Sequence, residues 1–138
     1  AVMSGALPST NVMGLALLYS IGAHGIMTLN DFKSVEGDTR MGVASLPVQL
    51  GVMRAAKLAC IVMALPQMAA IALLLSWQMP IHAAIVGLLL AIQFILMIRL
   101  LKDPRKYAAW YNATGTSAYV LGMMACAFAL RDLPGVMP

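Results

Sequence analysis

Apolar residues in this chain gather into four long runs, Val12–Leu29, Ala55–Trp77, Ile81–Ile98 and Ala109–Leu130, divided by short polar connections. Each run falls within the roughly 17–25 residues that a helix uses to cross a hydrocarbon core of about 30 Å. None alternates apolar and polar residues at period two, so a β-barrel is not the pattern on offer. The predicted architecture is an all-α integral membrane protein with four transmembrane helices in one domain. Pro66 inside the second run removes a backbone hydrogen bond and predicts a kink. Pro80 opens the third, where its missing N–H costs little. Trp77, Tyr107, Trp110 and Tyr111 stand near span ends and read as interfacial belts.

Composition agrees with that class: 62% of residues are hydrophobic and 10% charged, against about 25% charged in soluble domains. The distribution of Lys and Arg then sets an orientation. Lys33, Arg40, Arg54 and Lys57 lie in or beside the connection 30–54, and Arg99, Lys102, Arg105 and Lys106 in or beside the connection 99–108. The connection Gln78–Pro80 carries none. By the positive-inside rule, 30–54 and 99–108 are cytoplasmic and both ends of the chain lie outside. That rule also accounts for the net charge of +4. Basic and aromatic residues are not interleaved as on a nucleic-acid surface, so no nucleic-acid partner is expected. Cys60 and Cys126 sit within apolar runs without metal-ligand spacing and read as small core residues. A chain that opens on Ala1 and leads at once into a span suggests an upstream portion, with an odd number of helices if it starts in the cytoplasm.

Against this background, the run from Asn30 to Arg40 holds Asp31, Glu36 and Asp38, three of the five carboxylates in the chain. Carboxylates are hard ligands, and Mg²⁺ favours one or two of them together with waters and substrate phosphates. On an unbroken helix Asp31 and Asp38 would share a face about 10.5 Å apart along the axis, too far for one ion. Either Gly37 breaks the helix and returns Asp38, or the acids serve different ions. Lys33 and Arg40 could hold phosphate oxygens, Arg in a fork and Lys as a point charge. The plain alternative is a solvated loop whose acids neutralise its bases.

The wording of this run narrows the choice. Asn30 to Asp38 (Asn-Asp-Phe-Lys-Ser-Val-Glu-Gly-Asp), continuing through Gly42 into Ser45–Gly51, resembles the second aspartate-rich motif of the chlorophyll and bacteriochlorophyll synthase branch of the UbiA-type intramembrane prenyltransferases. The stretches Leu17–Leu29 and Trp110–Gly115 resemble its bacteriochlorophyll side. The resemblance implies a nine-helix bundle, of which this chain matches the last four helices, with two aspartate-rich motifs holding an isoprenoid diphosphate through Mg²⁺. The first motif, of Asn-Asp-x-x-Asp type, is absent from this chain, so 1–138 by itself is expected to be inactive or nearly so. Many relatives carry Asp-x-x-x-Asp in the second motif, where this chain has Ser34 in place of the first acid.

The implied reaction joins a geranylgeranyl or phytyl group, from its diphosphate, to the propionate of bacteriochlorophyllide a in a bacterial inner membrane, cytoplasmic or intracytoplasmic. The expected site comprises Asp31, Glu36 and Asp38 as metal-binding and catalytic acids, with Asn30, Lys33 and Arg40 on the diphosphate. His24 lies seven residues before Asp31 on the same helical face, about 10 Å deeper. It could ligate the tetrapyrrole Mg or hydrogen-bond a neighbouring helix. His82 opens the third span near the outer surface, at another depth. Other readings are a transferase of the same type acting on a chlorophyll, quinone or haem precursor, a four-helix transporter, or a non-catalytic fragment. A transporter would carry an ionisable coupling residue within a span, and no Asp, Glu, Lys or Arg stands in mid-span.

Overall fold

A computed structural model describes residues 7–133. Its first helix, α1 (Thr10–Asn30), is capped by Ser9, whose Oγ accepts from the Val12 amide at 3.4 Å. A 3₁₀ turn over Asp31–Lys33 follows, then the short helices α2 (Val35–Met41) and α3 (Leu46–Leu50). Three long helices complete the chain: α4 (Val52–Ser76), α5 (Pro80–Lys102) and α6 (Pro104–Arg131). No strand occurs among the described residues. Four helical segments are long and apolar enough to cross a membrane; with the first counted through its 3₁₀ turn to Lys33, the shortest has 23 residues, about 34 Å of helix.

Short connections make sequential helices antiparallel neighbours. Between α4 and α5 the chain reverses through Trp77–Met79, with Gln78 at φ +58 and the Met79 amide donating to Leu74 O at 2.9 Å. Between α5 and α6 only Asp103 is non-helical, and its carboxylate caps α6 by accepting from the Lys106 amide at 3.2 Å. Arg99, Lys102, Arg105 and Lys106 therefore sit on helix ends. Apolar periodicity ends before the helices do, because backbone bonding continues into the polar headgroup layer.

The core is built by close approach. Glycine and alanine let α1 lie against α4: a Cβ added at Gly25 would meet Met63 Cγ and come within 2.6 Å of the Ala59 carbonyl oxygen. On the α6 side, Tyr119 packs over Gly22 and donates its hydroxyl to Tyr19 O at 2.6 Å, with the two tyrosine rings edge to face at 5.1 Å. Without a hydrophobic force between helices in lipid, such packing and interhelical hydrogen bonds hold a bundle together. Tyr111 departs from its expected place in the interfacial belt. It is fully buried, its ring over Gly115, because the absence of a Cβ one turn later leaves room for it. Trp110 and Tyr107 instead hold Arg99, whose guanidinium lies 4.6 Å and 5.1 Å from their ring centroids. Both cysteines are free and buried.

Near the middle of the two helices a buried amide pair joins α4 to α5. Gln67 Nε2 donates to Gln93 Oε1 at 3.1 Å, Gln93 Nε2 returns a bond to Gln67 Oε1 at 2.8 Å, and Gln67 also reaches Met63 O at 2.9 Å. Replacing Gln67 with Leu strands the Gln93 amide and is expected to cost about 1–2 kcal/mol. The double change Gln67→Leu with Gln93→Leu should recover most of that. Thermal unfolding in detergent reads both, and a double variant no more stable than the single one contradicts the pairing.

Candidate functional site

The acid-bearing segment is anchored by its apolar residues. Phe32 and Val35 are buried beneath the 3₁₀ turn and α2, which leaves the polar side chains between them at the surface. The helix break falls at Ser34, with φ −108 and ψ 2, and Gly37 lies within α2. Gly37 is thus not the breaking residue; Gly42 does that work at the far end, at φ +70, where glycine avoids a Cβ clash. The Ser34 hydroxyl stands 3.1 Å from Asp31 O and 3.2 Å from Asp38 Oδ2, and its one proton serves either. The Ser34 hydroxyl thus touches Asp38 and can steady its carboxylate.

Asp31 and Asp38 are half-buried, whereas Asn30, Lys33, Glu36 and Arg40 are exposed. Among the described residues, no three His, Cys, Asp or Glu side chains converge as a metal cage. The donors are nonetheless all carboxylate oxygens, the type a hard divalent cation takes, and an incomplete protein shell suits Mg²⁺ that draws its other ligands from phosphate and water. The residues present fit that ion in donor chemistry.

Asn30 is the member tied to the rest of the bundle. Asn112 Nδ2 on α6 donates to Asn30 Oδ1 at 2.7 Å, across 82 positions of sequence. Asn112 Oδ1, Thr116 Oγ1 and Tyr111 Oη are buried without a hydrogen-bond partner among the described residues. Composition could not single out Asn112, because no local spacing connects it to position 30; only folding does.

A groove of about 480 Å³ runs between α1 and α6, its apolar lining including Val12, Ala16, Tyr19, Tyr119, Met123 and Ala127. Helical periodicity places Asn30 on the same face of α1 as Val12, Ala16 and Tyr19, and Asn112 on the same face of α6 as Tyr119 and Met123. The amide bridge thus continues the groove walls at the acid-bearing end. His24 is exposed on the α1 face it shares with Asp31, turned from the buried stripe Leu15, Tyr19, Gly22 and Leu29. Its side chain has no hydrogen bond among the described residues; only its carbonyl is engaged, by Thr28 Oγ1 at 2.9 Å. His82 lines a second groove, between α5 and α6, with Ile85, Leu121 and Phe128.

Sequence comparison gives the chain a family. The UbiA prenyltransferase family pattern matches residues 1–117. The chain is 56% identical over 133 residues to the bacteriochlorophyll synthase 33 kDa chain of Cereibacter sphaeroides, covering 96% of this chain and 44% of that protein. It is 49% identical over 116 residues to the bacteriochlorophyll synthase 34 kDa chain of Chloroflexus aurantiacus, covering 84% of this chain and 37% of the relative. With the chloroplastic chlorophyll synthase of Oryza sativa it shares 39% over 121 residues, 86% of this chain and 32% of the relative. The chain thus spans less than half the length of these relatives. No solved structure matches. With the family pattern covering most of its length and an acidic segment seated at one end of an apolar helical bundle, the chain belongs to the UbiA prenyltransferase family.

Proposed function

We propose that the protein to which this chain belongs is a bacteriochlorophyll a synthase, transferring a geranylgeranyl or phytyl group from its diphosphate to the propionate of bacteriochlorophyllide a. The observation that carries the reading is identity of 56% to a relative named a bacteriochlorophyll synthase, against 39% to a chlorophyll synthase. The exposed Lys33 and Arg40, alternating along the chain with half-buried Asp31 and Asp38, support it. The protein is a multi-pass membrane protein of a bacterial inner membrane, with the acid-bearing end on the cytoplasmic side, where the Lys and Arg of both basic connections lie.

In this mechanism Lys33 and Arg40 bind diphosphate oxygens and Asn30 adds a polar contact. Asp31 and Asp38, with Glu36 at the rim, would hold Mg²⁺, which when bound would neutralise charge on the leaving diphosphate. The allylic C–O bond breaks and diphosphate departs with the electron pair. A propionate oxygen then forms the new C–O bond to the prenyl carbon. Because the propionate is already ionised at neutral pH, no general base is required. The α1–α6 groove offers an apolar wall of the kind an isoprenoid needs. His24, bare and on the Asp31 face, is the candidate ligand for the pigment Mg; an unchanged pigment KM in His24→Ala would remove it from that role.

The test is acceptor competition. Complete protein in detergent, supplied with Mg²⁺ and geranylgeranyl diphosphate, is offered bacteriochlorophyllide a, chlorophyllide a and 4-hydroxybenzoate together. The bacteriochlorophyllide ester is expected to dominate. A prenylated benzoate as the main product would replace this reading with a quinone-pathway transferase, and a dominant chlorophyllide ester with the chlorophyll branch.

A further inference from the structure

An Asn amide carries one acceptor oxygen and two N–H donors, so whichever end is engaged decides what the other end offers. Asn30 closes α1, immediately before Asp31, and its Oδ1 accepts from Asn112 Nδ2 at 2.7 Å. With the oxygen engaged by α6, the nitrogen of the exposed Asn30 amide has no partner among the described residues. Asn112 is itself fixed. It stands in a helix started by the Asp103 cap and Pro104, next to the fully buried Tyr111, and its Oδ1 is buried without a partner. Every hydrogen bond of its side chain among the described residues goes to Asn30.

We propose that Asn112 is a positioning residue for Asn30: by taking up the Asn30 carbonyl oxygen, it makes Asn30 a hydrogen-bond donor to a diphosphate oxygen and withholds that oxygen from a cation. The inference rests on the diphosphate site proposed above and adds to it a residue from α6. It also explains why a helix 82 positions away bears on the acidic segment: α6 sets the polarity of the first side chain in the run. Asn30 Nδ2 then works alongside Lys33 and Arg40, and the cation is left to the carboxylates.

A double-mutant cycle on the complete protein tests this, with KM for geranylgeranyl diphosphate as readout. Asn30→Ala and Asn112→Ala should each raise KM about tenfold, the loss expected for one hydrogen bond to a charged group. The double variant should be no worse than Asn30→Ala alone, because Asn112 acts only through Asn30. Loss of mere structural support would lower the yield of active enzyme and leave KM unchanged.

Asn112→Asp supplies a second arm. Its carboxylate can only accept, so the α1–α6 bond re-forms only with Asn30 reversed; KM should rise by more than in Asn112→Ala, and the Asn30→Ala background should remove the part of the rise that acts through Asn30. A wild-type KM in Asn112→Ala or Asn112→Asp, or an Asn112→Ala effect that persists undiminished in the Asn30→Ala background, overturns the proposal while leaving the diphosphate site intact. A wild-type KM in Asn30→Ala removes Asn30 from the diphosphate site and the proposal with it.

Discussion

Asp31→Asn and Asp38→Asn, each made in the complete protein, are expected to lower the rate of ester formation at least about a hundredfold while leaving expression and thermal stability close to wild type. Asn has the shape of Asp but lacks the negative charge a hard cation requires. Both residues are only half-buried, so exchange of a charge for an amide leaves no stranded group in the core. At position 38 the amide oxygen can still accept from the Ser34 hydroxyl, which in the parent stands 3.2 Å from Asp38 Oδ2. The fold should therefore survive and the chemistry should not. Loss of one preorganised group facing developing charge commonly costs two to three orders of magnitude, about 3–4 kcal/mol in the barrier. Glu36, exposed at the surface, should matter less, and Glu36→Gln orders the three acids. Diphosphate release measured at saturating Mg²⁺ checks all three. Wild-type turnover in either Asp variant would return the acidic run to a solvated loop.

The second large effect is structural. Gly25→Ala should destabilise the bundle by about 1–3 kcal/mol, at the upper end of that range. The added methyl would come within 2.6 Å of a backbone carbonyl oxygen, Ala59 O, and would also meet Met63 Cγ. A side chain can swing aside, whereas a helix carbonyl moves only if α1 and α4 separate. Gly87→Ala is the control, because a Cβ there meets nothing within 4 Å among the described residues. Helix propensity alone would make that change neutral to slightly stabilising. Unfolding in detergent should show a clear loss for Gly25→Ala and none for Gly87→Ala. Equal stability would contradict the close α1–α4 approach.

These two expectations draw on different levels of information. Asp31 and Asp38 were legible in the chain because charge is scarce in it and three acids within eleven residues stand out against long apolar runs. The same contrast marked the spans, since a hydrocarbon layer demands length and apolarity that can be counted. Gly25 carried no such mark. Neither did Gln67 and Gln93, whose mutual hydrogen bonds link positions 26 apart in sequence. Nearness to a span end predicts a belt position for Tyr111, yet it is buried, because periodicity gives a direction only once the neighbouring helix is known. Conformational freedom alone makes Gly37 one possible helix breaker, whereas the break lies at Ser34 and Gly37 is helical.

What the sequence determined by itself was the solvent of each segment: which residues belong in lipid, which at the charged rim, and where the hard ligands gather. Transfer free energy and charge act residue by residue, so they can be read without a fold. Only the tertiary structure decided how the rim is organised: Ser34 at the helix break beside Asp38, Asn112 across from Asn30, and a groove between α1 and α6 continued by that bridge. Contacts of this kind depend on helix rotation and on close approach at Gly22 and Gly25, quantities set by packing between distant segments and absent from any single one of them.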